Sequence, residues 1–171
     1  MGGIAVHQGN AWRKLLADIE QGTFVFSATY AQQLHSIAGK EEARAWGCFR
    51  TGGVTIAGTE CMPPAHTQLN DLFTQLVHEQ AQIADIYDRA IWIFLTMARQ
   101  KFFYDVNNRM ERFMMNGILL AAGYPSINVP VKRKLEFNEG MLAFYQSNNP
   151  VQMNQFLRSC LDPRIVAIMS E

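Results

Sequence analysis

The spacing of apolar residues between positions 69 and 77 constrains this chain most. Leu69, Leu72, Phe73, Leu76 and Val77 fall at i, i+3, i+4, i+7 and i+8, which gathers them on one face of an α-helix and on no single face of a strand. The spacing predicts an amphipathic helix over residues 67–80. Residues 83–99 are apolar over more of the helix surface and are expected to form the central buried helix. Residues 108–122 carry Met110, Phe113, Met114, Gly117 and Leu120 inward and end at Gly123. Upstream, Asn10 can cap a helix to about residue 21 with Trp12, Leu15, Leu16 and Ile19 on one face. Ser27 can cap a second to about residue 38, closed by Gly39. Two shorter helices, near 134–146 and 151–161, close the core. The chain reads as all-α.

One stretch departs from that pattern. Val54, Thr55 and Ile56 favour strand, Gly58-Thr59 offers a turn, and residues 60–62 can return before Pro63-Pro64 stops them. A short β-hairpin is expected here, with an unpaired edge able to accept a partner's extended segment.

With 171 residues, no repeat and no linker-like stretch, residues 1–171 read as a single domain. Hydrophobic residues at 49% and charged residues at 18% exclude a disordered tail. The longest apolar run, residues 90–98, is too short to span a bilayer, so no membrane partner is expected. Lys+Arg and Asp+Glu balance at 15 each, which argues against nucleic acid because that partner needs a basic face. Cys48, Cys61 and Cys160 are odd in number and widely spaced, the pattern of a reducing compartment. The first six residues lack the charged-then-apolar order of a signal peptide, and Val6 stands where N-myristoylation wants Ser or Thr. A cytoplasmic chain is expected.

The candidate chemistry lies in residues 101–112, Lys-Phe-Phe-Tyr-Asp-Val-Asn-Asn-Arg-Met-Glu-Arg, where the helical pattern breaks and restarts. Asp105, Asn107 and Asn108 are turn and N-cap residues, so a helix is expected to begin here. Arg109 and Arg112 then lie near its start, three apart on one face. Cations there oppose the helix dipole, and Glu111 offsets only part of that. The arrangement makes sense if an anion binds where free N–H groups and two guanidiniums converge. The residues alone leave a plainer reading open, in which Asn107 caps and both arginines pair with surface carboxylates. Elsewhere, Met110, Met114 and Met115 read as core filler, Trp12, Trp46 and Trp92 as core, and no two of His7, His35, His66 and His78 have the spacing of a helical metal site.

The segment resembles the signature of the Fic family, His-x-Phe-x-(Asp/Glu)-Gly-Asn-(Gly/Lys)-Arg-x-x-Arg, with Phe103, Asp105, Asn107, Arg109 and Arg112 matching. The sequel from Met115-Asn116 through Ala-Ala-Gly-Tyr-Pro-Ser-Ile is similar to the family's following helix and turn. So are Leu34-His35, the Gly-Cys-Phe-Arg ending at Arg50, the Val-Thr-Ile-Ala-Gly from Val54, and Pro63-Pro64. The resemblance covers about residues 26–161 in the family's order. It implies an all-α Fic-type domain with a hairpin flap at Val54, Thr55 and Ile56 that docks a target protein. It further implies transfer of AMP, or another phosphate-containing group, from a nucleotide such as ATP to a protein hydroxyl, with Mg2+. In those terms Asn107, Asn108, Arg109 and Arg112 hold phosphate, Asp105 holds the metal ion and Phe103 anchors the loop. The family's self-inhibitory signature has no match, so an antitoxin-like inhibitor acting in trans joins the target protein as an implied partner.

Two departures bear on activity. Lys101 occupies the place of the family's catalytic histidine. An ordinary lysine, of pKa about 10.4, needs a shift of roughly three units, about 4 kcal/mol, to serve as a base at neutral pH. Loss of a general base costs on the order of a hundred- to ten-thousand-fold in rate. Val106 stands where glycine is usual, a poor choice if the loop needs positive φ. The leading expectation is nucleotide or phosphate binding with impaired AMP transfer. An active transferase and a non-catalytic interaction module are the alternatives.

Overall fold

A computed structural model describes residues 2–40 and 45–164, the first seven of these by backbone alone. Among the described residues the regular structure is helical: α1 (Gly2–Gln21), α2 (Ala28–Ala38), α3 (Leu69–Ala81), α4 (Ile86–Gln100), α5 (Asn107–Ala121), α6 (Lys134–Ser147) and α7 (Val151–Ser159). Single 3₁₀ turns lead into α3 and α6. The all-α reading holds, and Ser27 caps α2 by accepting the Tyr30 N–H, as its hydroxyl predicts. Asn10 does not cap. It lies well inside α1, which begins at Gly2.

α4 and α5 run side by side as a helical hairpin, and their faces divide the core in two. One half packs Leu15, Leu34, Phe73 and Leu76 from α1 to α3 against Ile93, Met97, Met110 and Met114. The other packs Phe144, Met153 and Leu157 from α6 and α7 against Ile91, Phe94, Leu95 and Leu119. Burying such a side chain contributes about 1.5–3 kcal/mol, so α4, apolar nearly all round, is fixed from both sides. Gly117 lets Phe24 lie on α5, since a Cβ there would fall 2.8 Å from the ring. Trp46 is not in the core but half exposed.

The expected hairpin is absent. Residues 53–56 and 60–65 are non-helical and unpaired, joined by a turn at Gly58 with φ +80°. A ladder three residues long is marginal without neighbouring strands, and Pro63 and Pro64 have no N–H to donate. The segment is fixed from its side chains and ends instead. Ile56 is buried against the second core half, and Arg50 bonds the carbonyls of Gly52 and Pro64. Met62, on the expected return strand, is 69% exposed.

Candidate functional site

The site begins where α4 stops. Lys101 takes the left-handed conformation (φ 51°, ψ 74°) while its N–H still bonds Met97 O at 2.9 Å. Phe102 and Phe103 follow, both fully buried, and lock the chain into rings from elsewhere: Phe49 lies 5.2 and 5.4 Å from them, and Phe73 lies 5.0 Å from Phe102. The buried Arg50 fixes the carbonyls. Its Nε donates to Lys101 O at 2.5 Å, and its Nη atoms donate to Gln100 O, Gly52 O and Pro64 O. A cation at a helix C-terminus is favoured by the dipole, and here it also joins the end of α4 to the 52–64 segment.

The chain must then turn back into α5. Val106 does so at φ 60°, ψ 17°, the left-handed region in which a β-branched residue is strained, and it caps the helix without a side-chain bond. The positive φ foreseen at this position is therefore present, carried by valine. Asn107, Asn108 and Asp105 do not act as the N-cap. Instead Asn107 Oδ1 accepts the Phe103 N–H at 3.1 Å and its amide donates to Phe103 O at 2.6 Å, clamping the loop across its base. A third restraint comes from His35. Its Nδ1 accepts the Gly47 N–H at 3.0 Å, which leaves the proton on Nε2 to donate to Asp105 O at 3.2 Å. The ring stacks on Phe103 at 4.0 Å, and burial draws its pKa below the usual histidine value.

Two cavities meet over the start of α5. One, of about 510 Å³, is largely apolar and takes Phe94, Phe137, Met141 and Leu142 into its wall beside Ile56. The other, of about 460 Å³, is polar and is lined by Asp105, Asn107, Asn108 and Arg109 with Val54 and Tyr104. Thr55, Lys101 and Asn108 border both. Lys101 Nζ lies 3.3 Å from Glu111 Oε1 and 5.9 Å from the Tyr145 ring centre. Glu111 is only 2% exposed, and burial pushes its pKa up to about 7 against the pull of Lys101 and Arg112. Arg112 is exposed on the rim of the apolar cavity and forms no ion pair among the described residues.

All the expected site residues thus gather in one region. Lys101, Asp105, Asn107, Asn108, Arg109, Val54 and Thr55 face the polar cavity, while Arg112 and Ile56 face its neighbour. Among the described residues no three acidic, histidine or cysteine side chains cluster as a closed metal site. Asp105 is the one carboxylate among the residues that line the polar cavity. Sequence reasoning named three residues without giving them a place in the site. Arg50 and His35 act across more than fifty residues, a separation no local pattern reports. Glu111 carried a local signal: it shares the inward face of α5 with Met115, one turn on.

The architecture is that of Fic domains. No family model and no curated protein sequence matches the chain. Fic-1 from C. elegans matches with a TM-score of 0.82 at 15% identity, over 98% of this chain and 51% of that one. BepC with bound AMPPNP, from Bartonella tribocorum, matches at 0.65 and 14%, over 93% and 88%. A variant of IbpAFic2 in complex with adenylylated Cdc42 matches at 0.61 and 16%, over 83% and 47%. The chain spans about half the length of the first and third of these. At such identities the likeness establishes the fold.

Proposed function

We propose that this domain belongs with Fic proteins and binds a nucleoside triphosphate across its two cavities, while Lys101 leaves it poor at transferring AMP to protein hydroxyls. The observation that carries this reading is the meeting of an apolar and a polar cavity at Lys101, Thr55 and Asn108. A nucleoside suits the apolar side, and its phosphates suit the polar side. That side lies over the start of α5, where the helix dipole favours an anion. Arg109 and Arg112 add positive charge from the first two turns. Asp105 would hold the magnesium ion, which neutralises phosphate charge when bound. The AMPPNP in the Bartonella neighbour supports the assignment by analogy.

Lys101 takes another role from the one the family's histidine would have. Its Nζ donates to the buried Glu111 carboxyl at 3.3 Å, so it is engaged there and not set to take a proton from an incoming hydroxyl. The test is transfer from α-labelled ATP to a panel of proteins. The unaltered chain should label little. Lys101→His should gain on the order of a hundredfold or more, the contribution of a positioned base. Vigorous labelling by the unaltered chain would show that Lys101 is no barrier.

A further inference from the structure

We infer that Glu111 is a general base for water, giving this domain a nucleoside-triphosphate hydrolase activity that yields the nucleoside monophosphate and pyrophosphate. This rests on the nucleotide reading above and adds a reaction to it. Three features of the site lead here.

The first is position. Glu111 lines the apolar cavity, 3.3 Å from the ammonium that occupies the family's catalytic position. Lys101 and Asn108 border both cavities, so the phosphate beside them is the one nearest the nucleoside, the α-phosphate. The second is access. At 2% exposure the carboxylate is out of reach of a residue on a protein surface, whereas a water molecule inside the cavity can approach it. The acceptor is therefore water. The third is hydrogen bonding. Oε1 accepts from Lys101. A carboxylate has about four lone-pair sites, so it can accept from a water in the cavity as well.

In the step, the water oxygen bonds to the α-phosphorus and the bond from that phosphorus to the bridging oxygen of the β-phosphate breaks. Pyrophosphate leaves with the electron pair. The water proton passes to Glu111, and Lys101 donates to the phosphate oxygens as negative charge grows on them. Lys101 at the end of α4, Arg112 on α5 and Tyr145 on α6 are the charged or titratable groups around the carboxylate. Burial favours the neutral acid, and the two cations favour the ionised form. The balance places its titration near neutral pH, where a general base is most useful.

The experiment incubates the full chain with ATP and magnesium, follows AMP and pyrophosphate by chromatography, and measures ATP binding by calorimetry on the same samples. The expected result is steady release of both products, with Glu111→Gln retaining binding and losing on the order of a hundredfold in rate. Should that variant not fold, the unaltered chain carries the test: its rate should rise as pH climbs through about 7, and in water enriched in oxygen-18 the label should enter AMP. A flat pH profile, an unimpaired Glu111→Gln, or label in pyrophosphate overturns the inference. ATP binding without AMP release overturns it and leaves the nucleotide reading standing. Absence of ATP binding removes both.

Discussion

Two junctions in this molecule perform the same manoeuvre by different means. At residues 101–106 and at 148–150 one helix ends on a left-handed residue and the next begins within a few positions. Lys101 N–H bonds Met97 O at 2.9 Å, and Asn148 N–H bonds Phe144 O at 2.8 Å. The second junction uses residues suited to the task. Asn148 tolerates positive φ, Asn149 Oδ1 accepts the Val151 N–H at 3.0 Å, and Pro150 leads into α7. The first puts Lys101 and Val106 into the same region and holds them with Arg50, Asn107 and His35. Local chemistry shapes one junction, and tertiary restraint imposes the other. Backbone strain kept in place by distant residues is the mark of a functional loop, and it coincides here with the two cavities.

The contrast is sharpest at the arginines. Removing Arg50 strips the donor from four carbonyls, so Arg50→Met should cost at least ~3 kcal/mol in urea denaturation. Arg158, in the last turn of the helix that the second junction starts, pairs on the surface with Asp85 and Asp88 at 2.8 and 2.6 Å, and Arg158→Met should cost about 1 kcal/mol or less. Equal losses would remove the distinction. The asparagines come next. Asn107→Ala leaves both backbone groups of Phe103 without partners and should cost about 2 kcal/mol, whereas Asn149→Ala loses one exposed cap at about 0.5–1 kcal/mol.

Relief of strain should have the opposite sign. A left-handed L-residue costs roughly 1–2 kcal/mol, and glycine returns about half of that through the entropy of the unfolded chain. Val106→Gly should therefore stabilise by about 0.5–1 kcal/mol, while Asn148→Gly changes stability by less than about 0.5 kcal/mol. A destabilised Val106→Gly would mean that the valine side chain packs to advantage despite its φ.

The smallest expected difference is in pH response. His35 is held neutral by burial and by the bond its Nδ1 accepts, so its folded pKa lies below the unfolded value of about 6.5. Above that pH both states are neutral there and stability is unaffected. As pH falls below it the unfolded chain takes the proton first, and stability drops. Glu111, with its pKa raised, contributes the reverse sign between the carboxylate range and about 7. The His35 contribution is thus the difference between the unaltered chain and His35→Gln measured above and below pH 6.5. Parallel curves would mean that His35 does not titrate with folding.

These contrasts also explain what could be read from the sequence. Helix faces and the Ser27 cap were legible because they depend on neighbours three and four residues away. The hairpin was misread because Val54, Thr55 and Ile56 carry strand propensity with no partner strand to express it, and the segment is set by Arg50 and the core instead. Asn107 was placed at the right spot, but its amide faces the loop, a role decided by where Phe103 is buried. Glu111 reads from the sequence as a partial offset to the cations at the helix start. Its helical register with Met115 was the contrary sign.

The central claim, that the strained junction exists to hold a nucleotide, is tested most directly by titrating the folded chain with ATP and magnesium in a calorimeter. One saturable site per chain is predicted, weakened by Arg112→Ala and by rising salt, and lost in Asn107→Ala under conditions where that variant remains folded. A folded, unaltered chain that takes up no ATP, or one whose binding is unchanged by Asn107→Ala, would contradict it.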